Sequence, residues 1–332
     1  NEQFVFKDEK YLVGKSDENN DEFDILLFAS RDIKEISIPS NIKIISSYAF
    51  QNCNNLTKVE IPPNSNLQTI GQYAFSGSNI KEIFIPSTVT KIFKGTFSNC
   101  YHLKKVEIPS NSNLQSIEKD SFSNTKIEKI FIPSTISKIC KSAFTNCYNL
   151  AKVEIPTDSN LQTIESHAFH DSKIKDIYFP MNLKELEEGW CLNTSKLTKI
   201  TVSPSNGQFI FKDDKYLLGK SDNKSDKFDI LLFVSRDIKK FSIPSNIEII
   251  SPYTFDHCIN LTKIEIPEDS NLRIIKEYAF EDLKIEAIYI PPKVSIICQY
   301  AFSGCSNLKK IEISKNSNLQ IIEEYAFSDL KI

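Results

Sequence analysis

Apolar residues recur along this chain in two interleaved rhythms. Short runs alternate inward and polar positions, as in Leu103, Val106 and Ile108. That period of two is the pattern of a strand with one buried face. Each run stops at a proline, Pro109 in this case, which lacks the amide hydrogen a continuing ladder needs. Between runs stands a phenylalanine, usually after a small residue, at alternating intervals of 25 and 22 residues. The anchors are Phe50, Phe75, Phe97, Phe122, Phe144 and Phe169, then Phe255, Phe280, Phe302 and Phe327. A fixed period in the twenties predicts stacked coils that share one elongated core. The phenyl rings are expected to pile into a spine, each burial worth about 1.5–3 kcal/mol. The Ala-Phe stretch reads as a single helical or 3₁₀ turn, too short for an independent helix.

Two kinds of coil alternate. The longer runs from Phe97 through Cys100, Leu103, Val106, Ile108 and Pro109, then Asn113, Leu114 and Ile117, to Phe122. The shorter carries Ile127, Ile130, Ile132, Pro133, Ile136 and Ile139 before Phe144. The recurring Ser-Asn-Leu places Asn66, Asn113, Asn160, Asn271 and Asn318 at a bend, where Asn is expected to satisfy backbone groups as a polar ladder. A larger repeat lies above this one: residues 4–50 recur at 209–255, identical at 34 of 47 positions. Each copy opens with an insert. Its Lys-Asp-x-Lys turn predicts a hairpin, followed by a polar loop (Lys15 to Glu22, Lys220 to Asp226) and a third strand over Phe23–Ala29 or Phe228–Val234. Trp190 stands where the coil before the second insert should carry Phe. The expected organisation is a strand-rich insert over 1–32, coils over 33–203, a second insert over 204–237 and coils over 238–332, all on one continuous solenoid.

Forty per cent hydrophobic and 25 per cent charged residues describe an ordinary soluble composition. A net charge of −3 gives no bias toward polyanions, so nucleic acid is not an expected partner. No apolar run approaches the roughly 20 residues of a membrane span. The chain opens at Asn1 without methionine and closes at Ile332 inside a repeat, which reads as a fragment or a processed chain. Cys53, Cys100, Cys147, Cys258 and Cys305 each follow an anchor Phe by three residues. In a stack with strands about 4.8 Å apart, thiols on every second coil lie roughly 10 Å apart, too far for a disulfide. They are expected as a column of buried thiols, with Cys140–Cys147 and Cys298–Cys305 the pairs that could meet across one bend. No Cys/His spacing indicates zinc.

The run Leu-x-x-Val-x-Ile-Pro, then x-x-Ile-x-x-x-Ala-Phe-x-x-Cys, closely resembles the BspA-like, or treponemal-type, leucine-rich repeat. The likeness covers nearly the whole chain, and the inserts around Tyr11 and Tyr216 resemble the strand-rich modules that interrupt such repeats. The resemblance implies a β-rich α/β solenoid, curved, with a parallel sheet on its concave side. It also implies surface-exposed or secreted adhesion and protein-binding roles. The strict 25/22 alternation departs from the family's usual spacing, nearer 23, and puts uniform curvature in question.

The solvent-facing strand positions form a candidate binding face. Along successive coils they read Ser37, Glu60, Phe84, Glu107, Phe131, Glu154, Tyr178 and Thr201, then Ser242, Glu265, Tyr289 and Glu312. Glutamate and aromatic alternate. Lys58, Lys105 and Lys152 stand two residues before Glu60, Glu107 and Glu154, on the same face. Exposed aromatics commonly supply binding hot spots, and Phe84, Phe131 and Tyr178 make the longest stripe, with Tyr289 in the second array. The structural alternative is that Lys and Glu keep an open sheet soluble while the rings shield its backbone.

Carboxylates cluster at Asp17, Asp21 and Asp24 and at Asp222, Asp226 and Asp229, without the glycine and closing glutamate of an EF-hand; they read as solvated loops. His167 and His170 beside Asp171 lack a third ligand and read as surface residues. Asn55, Asn193, Asn223 and Asn260 fit the glycosylation sequon, which matters only in a secretory pathway. No phosphate loop, nucleophile elbow or acid–base constellation is present, so neither catalysis nor a cofactor or metal is expected. The expected role is a non-catalytic binding module at the cell surface or outside the cell, taking a protein or glycoprotein, with self-association possible and no membrane insertion by this stretch. The other reading is an intracellular, cytoplasmic scaffold assembling with other chains or with itself.

Overall fold

The computed structural model describes residues 3–17 and 21–330; the centre of the polar loop expected over Lys15–Glu22 lies outside them. Regular structure among the described residues is strand and turn only, with no helix. The fold is therefore a β-solenoid, and the α component of the α/β expectation is corrected. The chain divides into two compact units, Asn1–Ile174 with Pro180–Cys191, and Lys175–Phe179 with Leu192–Ile332.

Each unit is strung along one long sheet, and the strands the coils contribute to it are only two residues long. In the first unit Ile44–Ile45, Thr69–Ile70, Lys91–Ile92, Ser116–Ile117, Lys138–Ile139, Thr163–Ile164 and Glu185–Leu186 pair in parallel, in chain order. In the second, Ile249–Ile250, Ile274–Ile275, Ile296–Ile297 and Ile321–Ile322 do the same. The Lys-x-Glu strands behave differently. They are parallel but pair two by two, Glu35–Ser37 with Lys58–Glu60 and Glu82–Phe84 with Lys105–Glu107, without closing into one ladder. The period-two reading of these strands holds: Val59, Ile61, Val106 and Ile108 point inward and are buried.

The bends between strands replace the expected helical turn. In each, the residue two before the anchor and the residue two after it take left-handed backbone, as at Tyr48 (φ 64°) and Asn52 (φ 56°) around Phe50. Two left-handed residues in five cannot lie in a right-handed helix. They produce a chain of tight turns instead. The N–H groups of Ala49, Gln51 and Cys53 donate to the carbonyls three residues back, at 3.3, 3.0 and 3.2 Å. The intervening N–H groups of Tyr48, Phe50 and Asn52 donate to Gln72, Ala74 and Ser76 of the next coil, at 3.0, 2.7 and 2.8 Å. The bend thus satisfies its own amides and stitches coil to coil, which buried backbone requires. Gly95 takes the same conformation (φ 62°), and a Cβ there would lie 2.0 Å from the Tyr73 ring, so substitution meets both strain and a clash.

Inside the coils the aromatic spine is present. Phe50, Phe75, Phe97, Phe122, Phe144 and Phe169 stack nearly parallel with centroids 4.8–5.5 Å apart, matching the rise of one coil. Trp190 ends that column edge-on at 87° to Phe169. Phe255, Phe280, Phe302 and Phe327 form the column of the second unit. The Ser-Asn-Leu bend corrects a second expectation. Serine, not asparagine, is the internal partner: buried Ser65, Ser112, Ser159 and Ser270 accept from the Leu67, Leu114, Leu161 and Leu272 amides at 3.2–3.3 Å. The asparagine side chains are exposed. The inserts fold as read. Phe4–Lys7, Tyr11–Gly14 and Ile25–Ala29 form an antiparallel meander, and its third strand joins Ile44–Ile45 in parallel. Phe209–Lys212, Tyr216–Gly219 and Ile230–Val234 repeat this in the second unit.

Candidate functional site

The solvent face of the Lys-x-Glu strands carries the candidate residues. In the first unit, Phe84 lies opposite Glu107 and Phe131 opposite Glu154, so the alternation of ring and carboxylate is a true cross-strand register. Lys58, Lys105 and Lys152 each bridge the glutamate two residues on; the Lys58–Glu60 and Lys152–Glu154 contacts are both 2.6 Å. Hydrogen bonds to Glu60 and Glu107 push the Lys58 and Lys105 pKa values up, and Lys152 pulls that of Glu154 down. The pairs lie at the surface. Being exposed, they shape the field of the face more than they stabilise the fold. Phe84 and Phe131 are half-buried.

In the second unit, Tyr178 faces Thr201 and Tyr289 faces Glu312, both rings half-buried. Lys263 bridges Glu265 at 2.6 Å and Lys310 bridges Glu312. Here the strand face is an open groove of about 1320 Å³, lined by Lys263, Glu265, Ala287, Tyr289, Lys310 and Glu312 among others. Apolar ring, paired charges and backbone polar groups converge in it. The depression is large enough for a peptide segment or an oligosaccharide, beyond a single small ligand of the usual pocket range.

Two features escaped the sequence reading. Glu35 and Glu82 sit across from Lys58 and Lys105, so each lysine feels carboxylates on two strands. Register is not visible until strands are paired. The second is a tyrosine column on the bends. Tyr253, Tyr278, Tyr300 and Tyr325 stack with centroids 5.0–5.2 Å apart, and Tyr48 stacks on Tyr73 at 5.7 Å. Its signal was the Tyr two positions before the anchor Phe.

The secondary candidates resolve as follows. No disulfide forms among the eight cysteines, and all are buried, so the Cys140–Cys147 and Cys298–Cys305 pairs do not join. Cys100, Cys147 and Cys305 donate to the carbonyls of Phe75, Phe122 and Phe280 at 3.0–3.2 Å. Burial pushes Cys100 and Cys305 up to about 12, which makes these thiols inert at neutral pH. Asp24 and Asp229 are not solvated loop residues; both are buried and hold their loop through Ser16 and Ser221. Burial pushes the Asp24 carboxyl upward, but the Ser16 hydrogen bonds and Lys43 at 3.1 Å outweigh it and hold its pKa below the usual value. His167 is half-buried, with its ring edge-on to His170 at 5.6 Å, and desolvation lowers its pKa. Asn55, Asn223 and Asn260 are exposed, and Asn193 is partly covered.

A model of the BspA type leucine rich repeat region matches the chain in six copies, over residues 23–151, 110–216 and 229–332. No curated protein matches it in sequence. Solved structures do resemble it. A leucine rich cell surface protein from Faecalibacterium prausnitzii A2-165 superposes with a TM-score of 0.73 at 21% identity, covering 98% of this chain and 95% of that one. The pneumococcal vaccine antigen PcpA gives 0.68 at 19% identity, over 94% and 82%. A leucine-rich repeat protein from Bacteroides ovatus ATCC 8483 gives 0.60 at 22% identity, over 98% and 92%. At these identities the likeness establishes the fold.

Proposed function

The chain belongs to the BspA-type leucine-rich repeat family, and from that premise we propose that it is a non-catalytic binding and adhesion module at the cell surface or outside the cell. The partner is a protein or glycoprotein. The contact lies on the Lys-x-Glu strand face of each unit: Phe84 and Phe131 within a frame of Glu60, Glu107, Glu154, Lys58, Lys105 and Lys152 in the first, and Tyr178 and Tyr289 in the second. The observation that carries this reading is the groove over Tyr289, where a half-buried ring sits between fixed charge pairs. The names of two structural neighbours, a cell surface protein and a vaccine antigen, agree with a surface role. Absence of any described helix long and apolar enough to cross a membrane fits contact without helical insertion.

The test is binding of the labelled chain to a panel of immobilised extracellular-matrix glycoproteins, with and without enzymatic glycan removal. Replacing Tyr289 with Ser is expected to weaken attachment by about 30-fold, the scale of losing one aromatic hot spot. Replacing Phe84, Phe131 and Tyr178 together with Ser is expected to abolish it. Unchanged attachment by both variants, with unfolding still cooperative, overturns the assignment of this face. The intracellular scaffold reading draws on the eight buried cysteines with no disulfide, a pattern of reducing compartments. Labelling intact cells with a membrane-impermeant amine reagent separates the two: labelled chain supports the surface, and chain labelled only after lysis supports the scaffold.

A further inference from the structure

Cys298 differs from the other thiols of its unit. It is 5% exposed, and among the described residues no hydrogen bond ties its Sγ to a carbonyl, whereas Cys258 and Cys305 donate to carbonyls of the preceding coil. Two carboxylates converge on it. Ligand atoms of Glu277, Cys298 and Glu323 all lie within 4.8 Å of one another, contributed by three successive coils. The Gln299 N–H donates to Glu323 Oε2 at 2.8 Å and fixes that carboxylate beside the thiol.

The first unit holds an internal control. Cys140 occupies the same place, four residues before its anchor Phe, and Glu165 stands where Glu323 does, taking the Lys141 N–H at 2.6 Å. There Lys138 bridges Glu165 at 2.5 Å and Lys91 bridges Glu118 at 3.5 Å. Lysine ammonium groups thus already supply the positive charge. In the second unit the positions of Lys91 and Lys138, six residues before the anchors, are Ile249 and Ile296, while Lys276 and Glu277 stand where the first unit has Glu118 and Lys119. Burial and then the Glu277 and Glu323 carboxylates push the Cys298 thiol up to about 11, with Lys276 acting in the opposite sense.

We propose that Glu277, Cys298 and Glu323 form a binding site for a thiophilic divalent cation of the zinc class, which takes the place that lysine fills in the first unit. The thiolate sulfur and one oxygen from each carboxylate supply three ligands, and water supplies the fourth. As the metal–sulfur bond forms, the thiol proton leaves to solvent. A tetrahedral ion with Zn–S of about 2.3 Å and Zn–O of about 2.1 Å holds its ligands less than about 4 Å apart. Small rotations of the two glutamate side chains, one half-buried and one exposed, close the set to that size.

Cadmium is the probe, because its bond to thiolate absorbs in the ultraviolet where the protein's other ligands give no new band. Titration of the reduced full chain with Cd²⁺ is expected to develop that band and saturate at one equivalent. Cys298→Ala is expected to lose it and Cys140→Ala to keep it. Glu323→Gln is expected to weaken binding about tenfold or more. Glu323→Lys, at an exposed position, replaces one ligand with an ammonium group and is expected to remove the band with the thermal unfolding profile intact. The proposal is overturned if the wild-type chain shows no band, or if Cys298→Ala or Glu323→Lys titrates like wild type.

Discussion

The two copies of the 47-residue segment, residues 4–50 and 209–255, share their meander, their turn chemistry and most of their side chains, yet differ in what those side chains touch. Phe4 and Phe28 are 56% and 40% exposed; their counterparts Phe209 and Phe233 are 5% and 1%. Arg31 is exposed, and Arg236 is 3% exposed. The cover on the second copy comes from Phe179 and residues 193–198 of the same unit. Phe179 packs edge-on to Phe209 at 6.0 Å, and Leu197 and Thr198 carbonyls accept from Arg236 N–H and Ser235 Oγ at 3.2 and 3.0 Å. Asp256, where the first copy has Gln51, accepts from Asn193 N–H at 2.8 Å and pairs with Arg236 at 3.5 Å. Closely similar local sequence therefore fixes the hairpin. The neighbouring coil decides which of its residues become core.

That contrast can be broken by truncation. Phe233→Ala removes a fully buried ring and is expected to cost about 3–5 kcal/mol, while Phe28→Ala, half in solvent, is expected to cost less than about 1 kcal/mol. Paired denaturant titrations read the difference, and equal losses would show that the copies are covered alike. Next in size is the arginine. Arg236→Ala leaves Asp256 with a buried charge and no guanidinium, an expected loss of about 3 kcal/mol, against less than about 0.5 kcal/mol for Arg31→Ala.

The buried aspartates sharpen the comparison further. Lys43 pairs with Asp24, but its counterpart beside Asp229 is Glu248. Asp24→Asn is therefore expected to destabilise the chain more than Asp229→Asn at neutral pH, by about 1–3 kcal/mol for the charged hydrogen bonds lost. Because the folded-state pKa of Asp24 is lowered, its contribution is present above the ordinary carboxylate range and lost as pH falls through the lowered value. Unfolding midpoints of wild type and Asp24→Asn should converge in acid; parallel curves would refute the pairing. The smallest effect belongs to the strand face. Replacing Lys263 or Glu265 with Ala is expected to leave the unfolding midpoint unchanged, since that ion pair is solvent-exposed.

Much of the architecture was legible because it repeats. The 25/22 spacing of phenylalanine located the spine, and alternation within Leu-x-x-Val-x-Ile located the inward residues Val106 and Ile108. The bends were misread as helical because Ala-Phe stretches have no periodic signature of their own. Their left-handed residues are tyrosine, asparagine, aspartate, histidine or serine more often than glycine. The order of the face, Phe84 then Glu107, was readable, but Glu82 opposite Lys105 was not. Nor was the exchange of partners at Ser-Asn-Leu, where the neighbour of the conspicuous residue does the bonding.

By itself the sequence determined the coil, its apolar lining, the aromatic spine and the three-stranded inserts, because each rests on contacts between residues at fixed spacing. Tertiary structure alone decided which strands join into a long sheet, which copy of the insert is covered, and which charged groups gather around each thiol. Those outcomes depend on the register between coils and on what lies alongside, and both are settled only when the chain packs against itself.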